Sequence, residues 1–241
     1  MELGGAPGAP ARAPAGRLGY PFGAPALSIL DFSTGLEFFK TPKENTTMAP
    51  MGKVHRRTRE TEVDLELELD GRGQVELATG IPFLDHMLHL FAAHGYFDLK
   101  IRASGDLEVD QHHTVEDIGI CLGHAFREAL QVRPQVRRYG EARVPMDEAL
   151  AQVTVDLSNR AFLHLEAKLP PAGVGLDPQL VKEFWRAVTV HGGMTLHITV
   201  PYGENTHHIL EAIFKAAGRA LDAATQPEPR AQGVPSTKGV L

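Results

Sequence analysis

Alternating apolar and polar positions begin near residue 53 and predict the first strands of a folded domain. Every second residue from Val63 to Leu69 is apolar, the period of a half-buried strand, and Asp70-Gly71 follows as a turn. The apolar positions of Val75–Leu77 predict the strand that returns after this turn. The segment therefore favours a β-hairpin.

Helical spacing follows the hairpin. Apolar residues from Leu84 to Phe91 recur every three or four positions, with Pro82 near the start and Gly95 at the C′ position. Phe97–Ile101 alternates again, and a second amphipathic helix is predicted from about Val115 to Gln131. These elements together have the order ββαβα.

The same order recurs in the second half of the chain. Val153–Leu157 predicts a strand and Phe162–Lys168 its pairing partner, and Asp177-Pro178 supplies an N-cap and a first-turn proline for a helix. Leu196–Val200 predicts the next strand and His208–Ala223 the last helix.

Individual residues repeat along with the elements. His112-His113-x-x-Glu116 recurs as His207-His208-x-x-Glu211, ninety-five positions on. His94-Gly95 likewise recurs as His191-Gly192, ninety-seven positions on. We therefore expect two duplicated halves, 51–145 and 146–241, in an α+β fold whose sheets are covered by helices.

Composition narrows the classes of function. The 241 residues carry a net charge of −6, which argues against a general nucleic-acid partner. The sequence contains no run of roughly 18 or more consecutive apolar residues, so no membrane span is predicted. The single cysteine, Cys121, excludes an intrachain disulfide and favours a reducing compartment, so we expect a cytoplasmic protein.

Residues 1–50 differ from the rest of the chain. They are rich in Gly, Pro and Ala and show no periodicity, which predicts a disordered N-terminal extension. Two alternatives stay open: an organelle transit peptide, or a translation start assigned too far upstream, with Met48 or Met51 near the true start.

The paired His-His-x-x-Glu motifs indicate metal binding. Residues four apart share a helix face, whereas adjacent residues point about 100° apart. His112 and Glu116 can therefore reach one point while His113 aims elsewhere, and the second motif behaves alike. Imidazole with carboxylate suits Mn²⁺, Fe²⁺ or Zn²⁺, and the lack of thiolate argues against a structural zinc site.

The duplication extends the ligand set. His86 projects ninety-seven positions forward onto Glu183, and both residue types can bind a metal ion. Pairing the halves by pseudo-twofold symmetry predicts two equivalent quartets, each leaving open coordination positions, which is typical of catalytic metals. The quartets are His86, His113, His207 and Glu211, and Glu183, His208, His112 and Glu116.

Four motifs together resemble the imidazoleglycerol-phosphate dehydratase family over residues 53–241. They are Phe83-Leu84-Asp85-His86-Met87-Leu88, Asp110-Gln111-His112-His113-Thr114-Val115-Glu116-Asp117, Asn205-Thr206-His207-His208-Ile209-Leu210-Glu211-Ala212 and Pro235-Ser236-Thr237-Lys238-Gly239. The resemblance implies a ribosomal protein S5 domain 2-like fold, two Mn²⁺ per active site and a homo-oligomeric shell of 24 subunits. One position departs from the pattern, because Glu183 stands where family members carry His; a carboxylate still suits a hard divalent ion.

The resemblance also implies the remaining site residues. Phosphate-binding positions of the family coincide with basic and hydroxyl residues that suit a phosphate dianion. Glu60, Glu211 and His86 take catalytic positions, Glu60 also contacting substrate, and we expect Asp110 to orient a histidine. The implied substrate-binding residues are Glu60, Arg138, Arg160, Lys215, Ser236, Thr237 and Lys238.

The implied reaction is a lyase step of L-histidine biosynthesis. D-erythro-1-(imidazol-4-yl)glycerol 3-phosphate loses water and becomes 3-(imidazol-4-yl)-2-oxopropyl phosphate. Two alternatives are a dinuclear metal-dependent hydrolase and a non-enzymatic metal-binding shell. The basic residues near the C-terminus favour the dehydratase, because neither alternative requires a phosphate pocket.

Overall fold

Apolar residues on one face of each strand build two four-stranded sheets. The computed structural model describes residues 49–170, 173–231, 233, 235 and 236, which belong to one folded unit. The first sheet has the order β1-β2-β4-β3 and the second the order β5-β6-β8-β7. The strands are β1 (Met51–Arg57), β2 (Thr61–Glu68), β3 (Val75–Ala78), β4 (Asp98–Gly105), β5 (Tyr139–Met146), β6 (Ala149–Asp156), β7 (Phe162–Glu166) and β8 (Thr195–Tyr202).

Four helices cover the inner faces of these sheets. They are α1 (Pro82–Gly95), α2 (His112–Gln131), α3 (Pro178–Gly192) and α4 (Thr206–Thr225). Helix α2 packs on β1 and β2, and α4 packs on β5 and β6. None of the helices in the described part of the chain has the length and apolar character that a bilayer crossing requires.

The two halves share one core because their helices pack crosswise. Helix α1 of the first half lies against α4 of the second, and α3 of the second lies against α2 of the first. Phe91 of α1 contacts Trp185 of α3 at a ring-centroid distance of 6.0 Å, and both side chains are buried. This crosswise arrangement brings residues of one repeat beside residues of the other.

The expected α+β duplication is confirmed, with one more strand in each half than the pattern predicts. The additional strands, β1 and β5, are sheet edges. Strand β5 begins at Tyr139, ahead of the half boundary expected at 145/146, and pairs with β6 in the second sheet. Each of these two strands has one buried residue, so its apolar periodicity is weak.

The pairing of β3 corrects the predicted hairpin. Strand β3 runs parallel to β4, and β2 pairs antiparallel with β1 and β4 instead. The pairing predicted in the second half is wrong in the same way, because β7 runs parallel to β8 and does not pair with β6. A tight turn and an alternating pattern predict a strand but do not identify its neighbour, and here α1 provides the crossover from β3 to β4.

Local helix signals agree with the structure at α3 and differ at α1. Asp177 accepts a hydrogen bond from the Gln179 amide, and Pro178 occupies the first turn as predicted. At α1 it is Tyr96, not Gly95, that takes the left-handed conformation, with φ 55°. The predicted extension at residues 1–50 lies outside the described residues, apart from Ala49 and Pro50.

Candidate metal centre and active site

The contact between α1 and α4 creates a cluster of metal-binding side chains. His86 Nε2 lies 2.9 Å from Glu211 Oε1, and His207 Nε2 lies 3.0 Å from the same oxygen. Their potential ligand atoms all fall within 4.8 Å of one another. Among the described residues, these three form the only such group of three or more His, Cys, Asp or Glu side chains.

The electrostatics of this cluster keep Glu211 ionised. Burial raises the pKa of the Glu211 carboxyl, but hydrogen bonds from Lys215, His86 and His207 outweigh it and lower the pKa to about 2. Lys215 Nζ approaches Glu211 Oε2 at 2.6 Å, so each carboxylate oxygen has basic partners. Glu211 is therefore in the charged form that a metal ion requires.

The contact between α2 and α3 creates the corresponding second cluster. His112 Nε2 lies 3.9 Å from Glu116 Oε2 on one face of α2. His112 and Glu183 line a shared cleft of about 450 Å³, together with Asp110 and Asp177. Glu183 also forms an ion pair with Arg186 at 3.5 Å. Three members of each predicted quartet therefore lie on one helix pair, but in the described part of the chain only those between α1 and α4 come within 4.8 Å of one another.

The second histidine of each doublet points to a different place. His113 Nδ1 lies 3.0 and 3.2 Å from the two Asp106 oxygens and 3.8 Å from Glu60 Oε2. His208 Nδ1 lies 2.7 Å from Glu148 Oε2. The histidines of a doublet diverge as the helical geometry predicts, and neither of these two belongs to the α1–α4 group of ligands.

Carboxylates raise the pKa of both diverging histidines. The hydrogen bond with Asp106 raises the pKa of His113, and the hydrogen bond with Glu148 raises that of His208. Backbone amides, Asn205 first, and His208 lower the pKa of Glu148 to about 2. Glu60 lies in a shallow cleft of about 360 Å³ that Arg57 and Asp106 also line.

Two residues predicted for phosphate binding converge on Asp156. Arg138 donates from Nε and Nη2 to the Asp156 carboxylate at 2.7 and 3.2 Å, and from Nη1 to the Pro235 carbonyl at 2.8 Å. The more exposed Arg160 lies 3.5 Å from Asp156. These contacts bring the segment before Ser236 beside Arg138.

Of the remaining predicted phosphate residues, Lys215 lies apart from this group. Lys215 binds Glu211 at the α1–α4 cluster. Thr237 and Lys238 lie outside the described residues.

The carboxylate beside the His113 ring is that of Asp106, and the orienting role expected of Asp110 stays a prediction. Asp110 Oδ1 accepts a hydrogen bond from the His112 backbone amide at 2.7 Å and so satisfies the start of α2, whereas Asp106 contacts the His113 ring. Position alone suggested Asp110, because it lies two residues before the doublet, and the loop after β4 turns Asp106 back toward α2.

Sequence reasoning also missed Glu148 and Asp156. Glu148 lies directly before β6, just as Glu60 lies directly before β2. In each half, the turn between the first two strands therefore ends in a Glu that lies beside the second histidine of a doublet. The signal was available in the repeat, but it required recognising β5 as the first strand of the second half.

The family model for imidazoleglycerol-phosphate dehydratase matches residues 79–221. The chain belongs to this family. A dehydratase of this name from Syntrophobacter fumaroxidans is 60% identical over 191 residues, covering 79% of this chain and 97% of the relative. One from Geobacillus kaustophilus is 56% identical over 195 residues, covering 80% and 100%.

Solved structures of imidazoleglycerol-phosphate dehydratases have the same fold. The Pyrococcus furiosus enzyme, in complex with (S)-C348, is 41% identical with a TM-score of 0.69, covering 78% of this chain and 100% of its own. The Staphylococcus aureus enzyme is 39% identical with a TM-score of 0.67, covering 74% and 99%. Dehydratases of this family are metal-dependent, in agreement with the His/Glu cluster between α1 and α4.

Proposed function

We propose that the dehydration occurs where divalent cations bind the two His/Glu clusters. Members of the imidazoleglycerol-phosphate dehydratase family remove water from imidazoleglycerol phosphate, and this chain is a lyase of that class. The observation that supports the location is the convergence of His86, His207 and Glu211 within 4.8 Å.

The donor set suits Mn²⁺. Two imidazole nitrogens and an ionised carboxylate are borderline and hard donors, a combination that Mn²⁺ accepts, and thiolates are absent from the cluster. We propose two Mn²⁺ per active site, one held by each quartet. A bound cation supplies a Lewis acid that makes a coordinated imidazole ring more acidic.

We propose that a second copy of the chain completes each quartet. His86, His207 and Glu211 lie together, and three ligands of the other quartet lie on α2 and α3. The remaining two, His113 and His208, contact Asp106 and Glu148 instead. Another copy can present these histidines, which makes the site dependent on a homo-oligomer; the 24-subunit shell implied by the family is the assembly we propose.

We propose that Glu60 carries protons during the reaction. Dehydration removes a proton from one carbon and expels the hydroxyl of its neighbour as water, and a proton returns to carbon when the enol becomes a ketone. Glu60 is 57% exposed and lies beside His113, so it can reach both substrate and water. Glu211, which contacts Lys215 and two histidines, acts chiefly as a metal ligand.

We propose that Arg138, Arg160, Ser236, Thr237, Lys238 and Lys215 bind the substrate phosphate. Arg160 has the weaker contacts with Asp156 and is the guanidinium most available to a phosphate. Arg138 uses three of its donors within the protein and holds the C-terminal segment in place.

A single cysteine favours the reducing cytoplasm as the compartment.

Exhaustive chelation followed by Mn²⁺ addition tests the proposal. We expect formation of 3-(imidazol-4-yl)-2-oxopropyl phosphate to stop without metal and to return with Mn²⁺. Glu60→Gln should lower kcat while leaving Mn²⁺ affinity unchanged, and Arg160→Ala should mainly raise KM. Full turnover in metal-free protein would contradict the metal assignment, and hydrolysis of simple phosphate esters instead would favour a hydrolase.

A further inference from the structure

The two diverging histidines each place Nδ1 against a carboxylate, but the two carboxylates differ in their other partners. Asp106 directs both oxygens at His113 Nδ1. Glu148 directs only Oε2 at His208 Nδ1, at 2.7 Å, because its Oε1 accepts hydrogen bonds from the backbone amides of Asn205 and Glu204 at 2.7 and 3.1 Å.

A carboxylate beside Nδ1 determines which nitrogen of the ring can bind a metal ion. An ionised carboxylate only accepts hydrogen bonds, so Nδ1 must carry a proton and Nε2 keeps its lone pair. His208 Nε2 lies on the opposite side of the ring, 3.8 Å from the exposed carboxylate of Asp147, where a ligand can approach.

We propose that Glu148 is a positioning residue that selects Nε2 of His208 as the metal-ligating nitrogen and ties this ring to the start of α4. Asn205 is the N-cap of α4, so one carboxylate holds both the loop before the helix and the ring of its third residue. The inference rests on the proposed function, in which His208 is a ligand.

Glu148→Gln provides a sharp test, because the side-chain amide of Gln has an oxygen that accepts hydrogen bonds and an NH₂ group that donates them. The two backbone amides beside Oε1 require the amide oxygen. The amide NH₂ then faces His208 Nδ1 and requires a lone pair there, which moves the ring proton to Nε2. The substitution keeps the size and loop contacts of Glu148 yet opposes metal binding through Nε2.

Asp106→Asn is the matched variant on the equivalent histidine. In the described part of the chain, the Asp106 carboxylate hydrogen-bonds with His113 alone, so an Asn can turn its oxygen toward Nδ1. Glu60 also faces this nitrogen, at 3.8 Å. We therefore expect Asp106→Asn to lower the affinity for Mn²⁺ much less than Glu148→Gln does.

Asp64→Asn controls for removing a carboxylate beside a histidine. Asp64 Oδ1 lies 2.7 Å from His55 Nδ1, the same separation as in the Glu148–His208 pair, but both side chains are largely exposed on the first sheet. This variant should bind Mn²⁺ as the unchanged protein does.

The experiment is a Mn²⁺ titration of the metal-free full chain and its variants, resolving the two binding classes. We expect Glu148→Gln to lower the Mn²⁺ affinity of one class of site by about 10- to 100-fold, the range typical for groups that orient a metal ligand. The affinity of the other class should stay unchanged. Equal affinity of both classes in Glu148→Gln and in the unchanged protein would overturn the inference. Failure of the unchanged protein to bind two Mn²⁺ would instead refute the proposed ligand sets.

A second measurement keeps the inference testable if Glu148→Gln unfolds or weakens both classes. Nitrogen-15 spectra of histidine-labelled, metal-free protein, assigned with a His208→Gln variant, report the position of the ring proton when the ring is neutral. We expect His208 to be protonated at Nδ1. A proton on Nε2 in the unchanged protein would overturn the proposal.

Discussion

Glu211 illustrates how neighbouring side chains turn an ordinary carboxyl into a metal ligand. Its side chain is 10% exposed, yet Lys215 and two histidines supply enough hydrogen bonds to lower its pKa to about 2. The sequence predicts His207, at i−4 on α4, as a partner because residues four apart share a helix face, whereas Lys215 at i+4 was expected at the phosphate instead. The partner from α1, His86, becomes evident only through the duplication.

Glu211→Gln should weaken Mn²⁺ binding at one of the two sites by at least about tenfold, since it removes a charged ligand itself and not only an orienting group. Glu228→Gln is a suitable control. The Arg230 hydrogen bond lowers the pKa of Glu228 to about 2 as well, but this pair lies after α4. Calorimetric titration of both variants would measure the difference, and equal affinities would contradict the assignment.

Cys121 should not react with thiol reagents in the folded protein. Its side chain is fully buried in α2, and burial raises the pKa of the thiol to about 12, so the reactive thiolate is scarce at neutral pH. We expect iodoacetamide to label the chain at pH 7 only after denaturation. Rapid labelling of the native protein, measured by mass spectrometry, would contradict this burial.

At the scale of elements, glycines permit the close approach of helices. A Cβ on Gly123 of α2 would lie 2.7 Å from the Val188 carbonyl oxygen and 2.8 Å from the Gly192 nitrogen, both backbone atoms of α3. A Cβ on Gly218 of α4 would lie 2.2 Å from the Phe91 carbonyl oxygen of α1. The two helix pairs that contain the ligand clusters therefore depend on equivalent small residues.

Gly123→Ala should lower the free energy of unfolding by about 1–3 kcal/mol, because the backbone of α3 must move to accept the methyl group. Gly173→Ala is the matched control, since a Cβ there meets nothing within 4 Å. Urea denaturation would measure both changes. Equal stability of the two variants would contradict the packing between α2 and α3.

The pair of histidines between α2 and α3 should make stability depend on pH. His191 Nδ1 lies 3.1 Å from His124 Nε2; burial, then His124 and Arg56, lower the pKa of His191, while Glu116 and Asp117 oppose this. Below its ordinary value of 6.5 the unfolded chain takes up a proton that the folded chain resists, so stability falls as the pH falls through this range.

Urea midpoints between pH 8 and pH 5.5 would test this dependence. We expect the stability of the unchanged protein, relative to that of His191→Gln, to fall as the pH falls below 6.5, because the side chain of the variant does not titrate. Identical slopes for the two proteins would contradict the assignment.

Strands were predictable where apolar residues alternate with polar ones, and the two edge strands β1 and β5, which have one buried residue each, were missed. The residues of β2 alternate regularly between buried and accessible, whereas β5 has one fully buried position. The partner of β3 could not be deduced, because a local turn does not specify pairing across the sheet. Asp177, in contrast, needs only its own helix to act as a cap, and its prediction is confirmed.

At the scale of the whole molecule, the duplication explains both the fold and the arrangement of the site. Crosswise packing places His86 of the first half beside Glu211 of the second, and Glu183 of the second beside His112 of the first. The His-His-x-x-Glu repeats made this pairing predictable. Asp106 was not predictable from spacing, since it reaches His113 from a loop outside the motifs, and Glu148 was predictable only by matching it to Glu60 across the repeat.

Co-expression of two defective chains would test whether copies share a quartet. Glu211→Gln damages the cluster of its own chain, and His113→Asn removes the histidine that we propose is presented to another copy. Mixed assemblies contain sites with neither defect, so we expect activity above that of either variant alone. Mixtures as inactive as the separate variants would contradict sharing between copies.

Anomalous diffraction from Mn²⁺-loaded crystals tests the central claim most directly. We predict one manganese peak bound by His86, His207 and Glu211 and a second bound by His112, Glu116 and Glu183, with His113 and His208 supplied by neighbouring copies. Manganese peaks located away from these side chains, or quartets that stay apart after all neighbouring copies are generated, would contradict it.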